Sequence, residues 1–583
     1  MPSMWAFLRC GVILAAFSLA SLMSAQNLDR LLPEPVPPQL PDEPEAPQPE
    51  LTDIVQLFGV RPEEIIVIPE LKGIRLLSDQ SQVTPRLTEM SSPIEFVGVP
   101  SMQTDEGIAL LSLALGQPVS RESLDRLLGA IRVVLARTGA AFSIVALPPQ
   151  DVTAGYLQLV VIESVVGNVR VEGNRWFSEQ SYLSRLDQTP GQPVNARGFN
   201  DGPERINANP FRRATVEVAA GAEPGTTDII VRARETRPWR FFVSANNTGT
   251  KSTKEERVST GFNWGNVFGL GHQLSLQWNS SDDFNALRSV SGSYVADLPR
   301  RHSLRATASY SRSNALVSPP FSLRGESWQV GLDYEVPLTA SNSDFGHTLA
   351  FGIDFKASDN NFTFAAIPIT DNLTHIAQAR VSYTGNLARS GSQTNFGLTL
   401  TGAPGGITDR NDDRYFTISR GGAKAAYAYL RANATHAIRL DQVKSGLTWV
   451  LRFQGQYSSD KLLGSEQMVG GGAYAVRGYK EDEVYGDHGI LLGQELRLPP
   501  WTQSLGGDRG TLSVQGFVFQ DYARLWNVNP LPAESAANLH SVGAGFDFGV
   551  GRQVSLRAAY GWQLRDNGSN ESGRLHVSAN VSF

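Results

Sequence analysis

From about Pro238 to the end of the chain, apolar and polar residues alternate in segments of about 9–12 residues, divided by Gly, Asn, Asp and Ser. Leu349, Phe351, Ile353 and Phe355 alternate with Ala350, Gly352 and Asp354. Leu447, Trp449, Leu451 and Phe453 alternate with Thr448, Val450 and Arg452. Leu575, Val577, Ala579, Val581 and Phe583 alternate with Arg574, His576, Ser578, Asn580 and Ser582. A soluble sandwich also alternates, but with shorter strands and fewer long polar loops. Segments of this length, apolar on one side and polar on the other, suit tilted strands that face lipid outside and water inside. In lipid every backbone N–H and C=O must be paired, so such strands require a closed barrel. Sixteen segments are predicted, beginning near 238, 256, 271, 286, 302, 325, 346, 375, 391, 420, 446, 488, 508, 541, 554 and 573. Segments 286–296 and 420–436 have the least distinct pattern.

Residues 71–236 have a different texture, with strand-like and helix-like pieces in turn. Leu71–Leu77 and Ile94–Val99 read as strands, and Thr104–Leu115 and Arg121–Thr138 as helices. In the second helix Leu124, Leu127, Leu128, Ile131, Val134 and Leu135 share one face, behind an N-cap at Ser120. Strands follow at 141–147 and Leu157–Glu163. The order then repeats: strand Gly167–Val171, helices Ser178–Leu186 and Ala196–Asn207, and strands Ala214–Ala219 and Thr227–Ala233 joined by Gly221-Ala-Glu-Pro-Gly225. Each unit is expected to pack two helices on a small mixed sheet.

Residues 33–49 contain eight prolines and build no core; they suit an extended, semi-stiff linker. Before them, Arg9, the apolar run Cys10–Met23 and Ser24-Ala25-Gln26 read as a secretory leader cleaved after Ala25. That run is too short for a spanning helix.

Residues 470–482 read Gly-Gly-Gly-Ala-Tyr-Ala-Val-Arg-Gly-Tyr-Lys-Glu-Asp and fall between the eleventh and twelfth predicted strands. They set one cation, Arg477, among glycines in a long loop, where Gly470–Gly472 allow a sharp reversal. On the thirteenth predicted strand stands Phe519-Gln-Asp521-Tyr-Ala523, with Asp521 on the same inward face as Ser513 and Gln515.

These features resemble the outer-membrane transporters of two-partner secretion, the haemolysin and filamentous-haemagglutinin secretion family, within the superfamily of barrels that move or insert proteins. Val476-Arg477-Gly478-Tyr479 resembles the family's loop motif, and Phe519, Asp521 and Ala523 resemble its Phe-x-Asp-x-Gly wall motif with Ala in place of the last Gly. The runs 146–151, 155–163, 221–230, 246–249 and 265–272 resemble further family patterns. The resemblance covers residues 71–583. It implies an α+β periplasmic region followed by a membrane β-barrel: two tandem polypeptide-transport-associated (POTRA) domains, 71–164 and 165–236, then a 16-stranded antiparallel barrel over 237–583 with a sixth extracellular loop at about 459–487. Residues 1–25 are then the leader and 26–70 a short N-terminal segment and linker. The family reading folds the loop into the lumen and pairs Arg477 with Asp521. It implies export of a large unfolded partner protein from periplasm to cell surface, without cofactor or metal. Phe583 resembles the terminal signal read by the barrel-assembly machinery, so that machinery and outer-membrane lipid are further expected partners. Many family members carry an N-terminal plug helix; here only Gln26–Leu32 precedes the prolines, barely two turns.

Composition narrows the field. The net charge is −6 with no basic tract, so nucleic acid is a poor partner. The one cysteine, Cys10, lies in the leader, which excludes thiolate catalysis and disulfides from the mature chain. No nucleophile elbow, zinc helix or phosphate loop is recognisable, and the eight histidines are scattered, so the chain reads as a non-enzyme. A barrel-assembly factor would share the Arg477 loop; two periplasmic units only, the proline-rich segment and the 221–225 match favour secretion over it. A passive porin needs neither the periplasmic units nor the arginine loop.

Overall fold

The computed structural model describes residues 65–583, apart from 139, 141, 224, 319–320, 339–344, 365–366, 507–509, 533, 567 and 569–570. The expected leader 1–25, Gln26–Leu32 and the proline run 33–49 lie outside the described residues. The chain divides into two compact units, one ending at Arg237 and one running from Pro238 to Phe583.

In the N-terminal unit, Gly73–Leu77 is one of the two inner strands of a four-stranded sheet, parallel to both Ile94–Val97 and Tyr156–Ile162. Ile144–Ala146 closes the far edge antiparallel to Tyr156–Ile162. Helices Asp105–Ala114 and Arg121–Arg137 cover this sheet. The second begins at a reciprocal cap: Ser123 N–H donates to Ser120 Oγ at 3.0 Å and Ser120 N–H to Ser123 Oγ at 2.8 Å. Its Leu127, Ile131, Val134 and Leu135 are buried in one core with Leu71, Ile74, Leu76 and Leu159, while Leu124 and Leu128 pack at its margin. A short strand, Ile66–Ile68, pairs with Val119–Ser120, so a strand lies inside the stretch read as linker. Three apolar residues in a row, Ile66-Val67-Ile68, are too brief a pattern to read.

The repeat continues with Val165–Glu172 parallel to Thr226–Glu235, which is antiparallel to Arg212–Ala220, beside helices Glu179–Leu186 and Ala196–Asn207. The Glu235 carboxylate gathers the N–H groups of Arg175, Trp176 and Phe177 and the Tyr182 hydroxyl at 2.5 Å. Arg212, fully buried, lies over the Phe177 and Tyr182 rings at 4.8 and 5.2 Å. Burial and the adjacent Glu235 carboxylate hold the Tyr182 phenol well above its usual range.

Among the described residues, sixteen antiparallel strands close the barrel. The first eight are Trp239–Asn246, Arg257–Val267, His272–Ser281, Leu287–Asp297, Ser303–Ala315, Phe321–Pro337, Phe345–Phe364 and Ile367–Arg389. The others are Ser392–Pro404, Ala426–Arg439, Thr448–Ser458, His488–Arg497, Thr511–Trp526, Ala537–Val550, Val554–Gln563 and Gly573–Ser582. The twelfth resumes as Trp501–Ser504 after Pro499-Pro500, which have no N–H for the ladder; both pieces pair with the thirteenth. The first and last strands pair from Phe242↔Ser582 to Asn246↔Ser578. The Asn247 amide extends that seam, donating to Leu575 O at 2.7 Å and accepting from Val577 N at 2.9 Å.

Burial is inverted relative to a soluble protein. Val290, Trp328, Phe351, Ile353, Leu400, Val518 and Leu575 are exposed on the outer face, while Ser291, Gln329, Asp354, Thr401, Gln456 and Glu495 are buried inside. That is the expected partition when lipid is outside. Two sequence expectations change. The seventh and eighth strands run for 20 and 23 residues rather than 9–12, and their outer ends are polar (Asp359, Asn361, Asn372), so no lipid-driven alternation marks them. The tenth strand begins at Ala426 rather than near 420, because Asp413–Ser419 forms a helix in a region read as free of helices. Asp412 caps it through Arg414 N–H at 2.9 Å, and Phe416 anchors it among Tyr427, Leu462 and Leu463.

Candidate functional site: the inserted loop

Residues 459–487 join the eleventh and twelfth strands. Their outgoing and returning legs pair as Met468–Gly470 with Val484–Gly486, so the loop tip projects as a two-strand ribbon. At the turn Gly471 and Gly472 have φ of +92° and +103°; a Cβ on Gly472 would fall 2.1 Å from Glu481 Oε2. Only glycine fits there. Glu481 in turn accepts from Ala473 N–H at 2.6 Å.

This ribbon places Arg477 against the barrel wall, 2 % exposed. Arg477 Nε donates to Asp521 Oδ2 at 2.7 Å and Nη2 to Asp521 Oδ1 at 2.9 Å, a two-pronged contact with one carboxylate. Its backbone N–H reaches the same Oδ2 at 3.2 Å, and Nη1 reaches Glu495 Oε2 at 2.7 Å. The guanidinium carbon lies 3.5 Å from the centroid of the Phe519 ring. A buried guanidinium costs several kcal/mol unless its N–H groups are met by opposite charge, as here. Asp521 and Glu495 are fully buried and serve further arginines: Arg452 reaches Asp521 Oδ1 at 3.2 Å, and Arg497 and Arg557 reach Glu495 at 2.7 and 3.0 Å.

The motif neighbours seat the tip. Val476 and Tyr479 are fully buried with Ala475, Leu491, Leu525 and Leu539. Ala523, standing where the family motif has Gly, belongs to that cluster with no exposed surface, so its methyl is accommodated. The Tyr479 hydroxyl donates to Arg565 O at 2.6 Å and accepts from His540 N at 3.2 Å. Gly478 N–H donates to His576 Nε2 at 3.0 Å, and Gln563 Nε2 donates to Gly478 O at 2.8 Å.

The legs of the loop have their own attachments. Glu466, fully buried, accepts from Lys356 Nζ of the seventh strand at 3.0 Å and from the Tyr429 hydroxyl of the tenth at 2.9 Å. Asp487 accepts from both Arg420 Nη groups at 2.5 and 3.2 Å, and Lys461 donates to Glu534 at 2.6 Å. Of these lumen partners only Asp521 and Phe519 carry a motif in the sequence. Glu495, Arg497, Arg452 and Arg557 were findable, because each is a charged residue at an inward position near Asp521. Phe583 ends the sixteenth strand, its N–H donating to Phe241 O at 2.8 Å and its side chain 78 % exposed. Among the described residues no group of three or more His, Cys, Asp or Glu side chains is placed to hold a metal ion.

The profile of the haemolysin secretion/activation protein ShlB/FhaC/HecB family matches residues 225–548, more than half of the chain. The chain belongs to this family. The profile of the ShlB-type POTRA domain matches residues 91–164. The sequence is similar to the outer membrane transporter CdiB-2 of Burkholderia pseudomallei, 24% identical over 71% of this chain and 70% of that one. It is also similar to the heme/hemopexin transporter protein HuxB of Haemophilus influenzae (24% identical, 87% and 91% covered) and the hemolysin transporter protein ShlB of Serratia marcescens (22% identical, 88% and 90% covered). The fold is that of CdiB from Escherichia coli, with a TM-score of 0.72, 18% identity, and 91% of this chain and 94% of that one covered. As a ShlB/FhaC/HecB family member the protein is an outer-membrane β-barrel transporter of two-partner secretion with a periplasmic POTRA region. Two-partner secretion implies a large secreted partner protein.

Proposed function

We propose that the protein passes its partner polypeptide, unfolded, through the barrel lumen, and that the 459–487 loop is the gate, held shut at its tip by Arg477 on Asp521 and Glu495. The observation that carries this reading is the buried Arg477 inside the wall of a barrel otherwise lined with polar side chains. On this reading residues 71–164 and 165–236 are two POTRA domains that receive the partner, and 237–583 is the conducting barrel. The open edges Ile144–Ala146 and Arg212–Ala220 can each add an extended segment as a further strand. The exposed outer band contacts outer-membrane lipid, and Phe583 offers the assembly machinery a handle on the last strand. The protein makes and breaks no covalent bond in this scheme, and folding of the partner outside the cell biases the motion.

The test compares culture supernatants of wild type, a deletion strain and Arg477→Ala at equal expression by mass spectrometry. Loss of one large secreted protein, with other outer-membrane barrels unchanged, is expected. A general fall in outer-membrane barrels would instead make the protein an assembly factor.

A further inference from the structure

On the lumen wall beside the loop tip, guanidiniums outnumber carboxylates. A cavity of about 280 Å³ opens there, and its charged lining is Arg452, Arg477, Arg497, Arg557 and Glu495. Behind it Asp521 serves Arg477 and Arg452, and Asp547 pairs with Arg557 at 3.0 Å. In the lining itself four guanidiniums thus stand against one carboxylate, with Asp521, Asp547 and Glu481 (which accepts from the lining Ala473 N–H) set behind them. This cationic lining is local: on the sixth to eighth strands a single Arg380 is shared by Asp333 and Asp354. Arg497 holds Glu495 through Nε, and Arg452 holds Asp521 through Nη2; their side chains remain 32% and 27% exposed toward the cavity.

The strand order fixes which end of the barrel this is. The first strand leaves from the end at which the periplasmic region joins, so every odd strand starts there and every even strand returns there. Arg452 lies midway along the eleventh strand, Arg557 near the start of the fifteenth, and Arg497 at the end of the twelfth piece before Pro499, while Thr248 on the other side of the cavity follows the end of the first strand. The arginine side of the cavity thus reaches from mid-barrel toward the periplasmic end, with Tyr474, 62% exposed, on its loop side.

We propose that this cavity binds an acidic side chain, Asp or Glu, of the exported polypeptide as it enters the lumen. The proposal rests on the export reading above. A partly exposed guanidinium in a shielded site draws an anion, and its planar fork suits a carboxylate. Basic segments are repelled by the same charge, so the cavity selects an acidic stretch at the point where the chain first meets the gate.

The test uses the full-length protein in detergent with Tyr474→p-benzoylphenylalanine as a photo-crosslinker. The probe is the peptide Gly-Asp-Gly-Ser-Glu-Gly, compared with its Asn/Gln counterpart. Labelling by the acidic peptide should exceed that by the amide peptide by about tenfold, the size of one charge-assisted hydrogen bond. Arg497→Gln with Arg452→Gln should remove the difference, and Arg497→Lys with Arg452→Lys should largely restore it. Equal labelling by both peptides, or a preference that survives the Gln pair, overturns the proposal. Export is scored separately in cells: intact export with no acidic preference sinks this inference alone, whereas absence of any exported protein sinks the reading beneath it.

Discussion

Gly478 and Gly561 meet backbone to backbone. A Cβ on Gly478 would lie 2.8 Å from Gly561 O, and a Cβ on Gly561 would lie 2.6 Å from Gly478 N. Gly478 also has φ of +93°. The loop therefore touches the fifteenth strand at a point where neither side has room for a methyl group.

Gly478→Ala should unseat the loop tip by combining this overlap with backbone strain of about 1–3 kcal/mol. Gly561→Ala, with ordinary backbone geometry, should act through the overlap alone and have the smaller effect. A cysteine at position 474, probed with a membrane-impermeant thiol reagent from the outside, reports the unseating. Equal reactivity in wild type and both variants would show that the contact does not hold the tip.

Removing one member of the Arg477–Asp521 pair should cost about 3–5 kcal/mol of loop docking, because the other is left buried without its partner. Asp521→Asn should therefore be as damaging as Arg477→Ala, and the double variant less damaging than the sum of the two. Arg477→Lys should not rescue, since one ammonium cannot reproduce the fork on Asp521 together with the bond to Glu495. Limited proteolysis within 470–482 and export of the partner are the two readouts.

Glu466 predicts a second threshold. Lys356 and Tyr429 hold it from the seventh and tenth strands, whereas Arg477 is held from the twelfth and thirteenth. Arg477→Ala alone should release the tip but leave the leg attached, giving only a modest rise in single-channel conductance in planar bilayers. Adding Glu466→Gln should give a much larger rise. An equal conductance for the single and double variants would show that the leg carries no independent hold.

Glu95 predicts acid sensitivity in the POTRA domain matched at 91–164. The Ser91 hydroxyl, donating at 2.7 Å, draws its carboxyl down; partial burial opposes this, and Arg75 at 2.7 Å adds to the fall, leaving it at about 2 against an ordinary 4.5. A carboxyl depressed by folding stabilises the fold above its unfolded value, and that stability is lost as pH falls through the folded one. Protection of Ile94–Val97 against amide exchange should hold at pH 6 and decline as pH drops from about 4.5 toward 2. Glu95→Gln should flatten that profile.

The sequence made the barrel legible because lipid enforces a rule at every second residue. Leu349, Phe351 and Ile353 had to face outward together, so their segment could be found without neighbours. The rule stops at the edge of the hydrocarbon, which is why the outer halves of the long seventh and eighth strands around Asp359 and Asn372 were not seen. Asp413–Ser419 escaped for another reason: a seven-residue helix held by a single buried Phe416 has too few turns to show a period. In the lumen, Arg477 stood out because glycines flank it, whereas Lys356 and Glu466 are 110 residues apart with nothing local to mark either. Their association exists only once the barrel has brought its walls round the loop.

The loop attaches to the seventh and tenth strands through Glu466, to the twelfth and thirteenth through Arg477, and to the fifteenth and sixteenth through Gly478. It is therefore a spoke within a rim as well as an obstruction. Withdrawing it takes away the ties that keep distant staves at a fixed separation. The unobstructed barrel is then also the softer one, free to change its cross-section to the width of whatever side chains are passing, and it stiffens again only when the spoke returns.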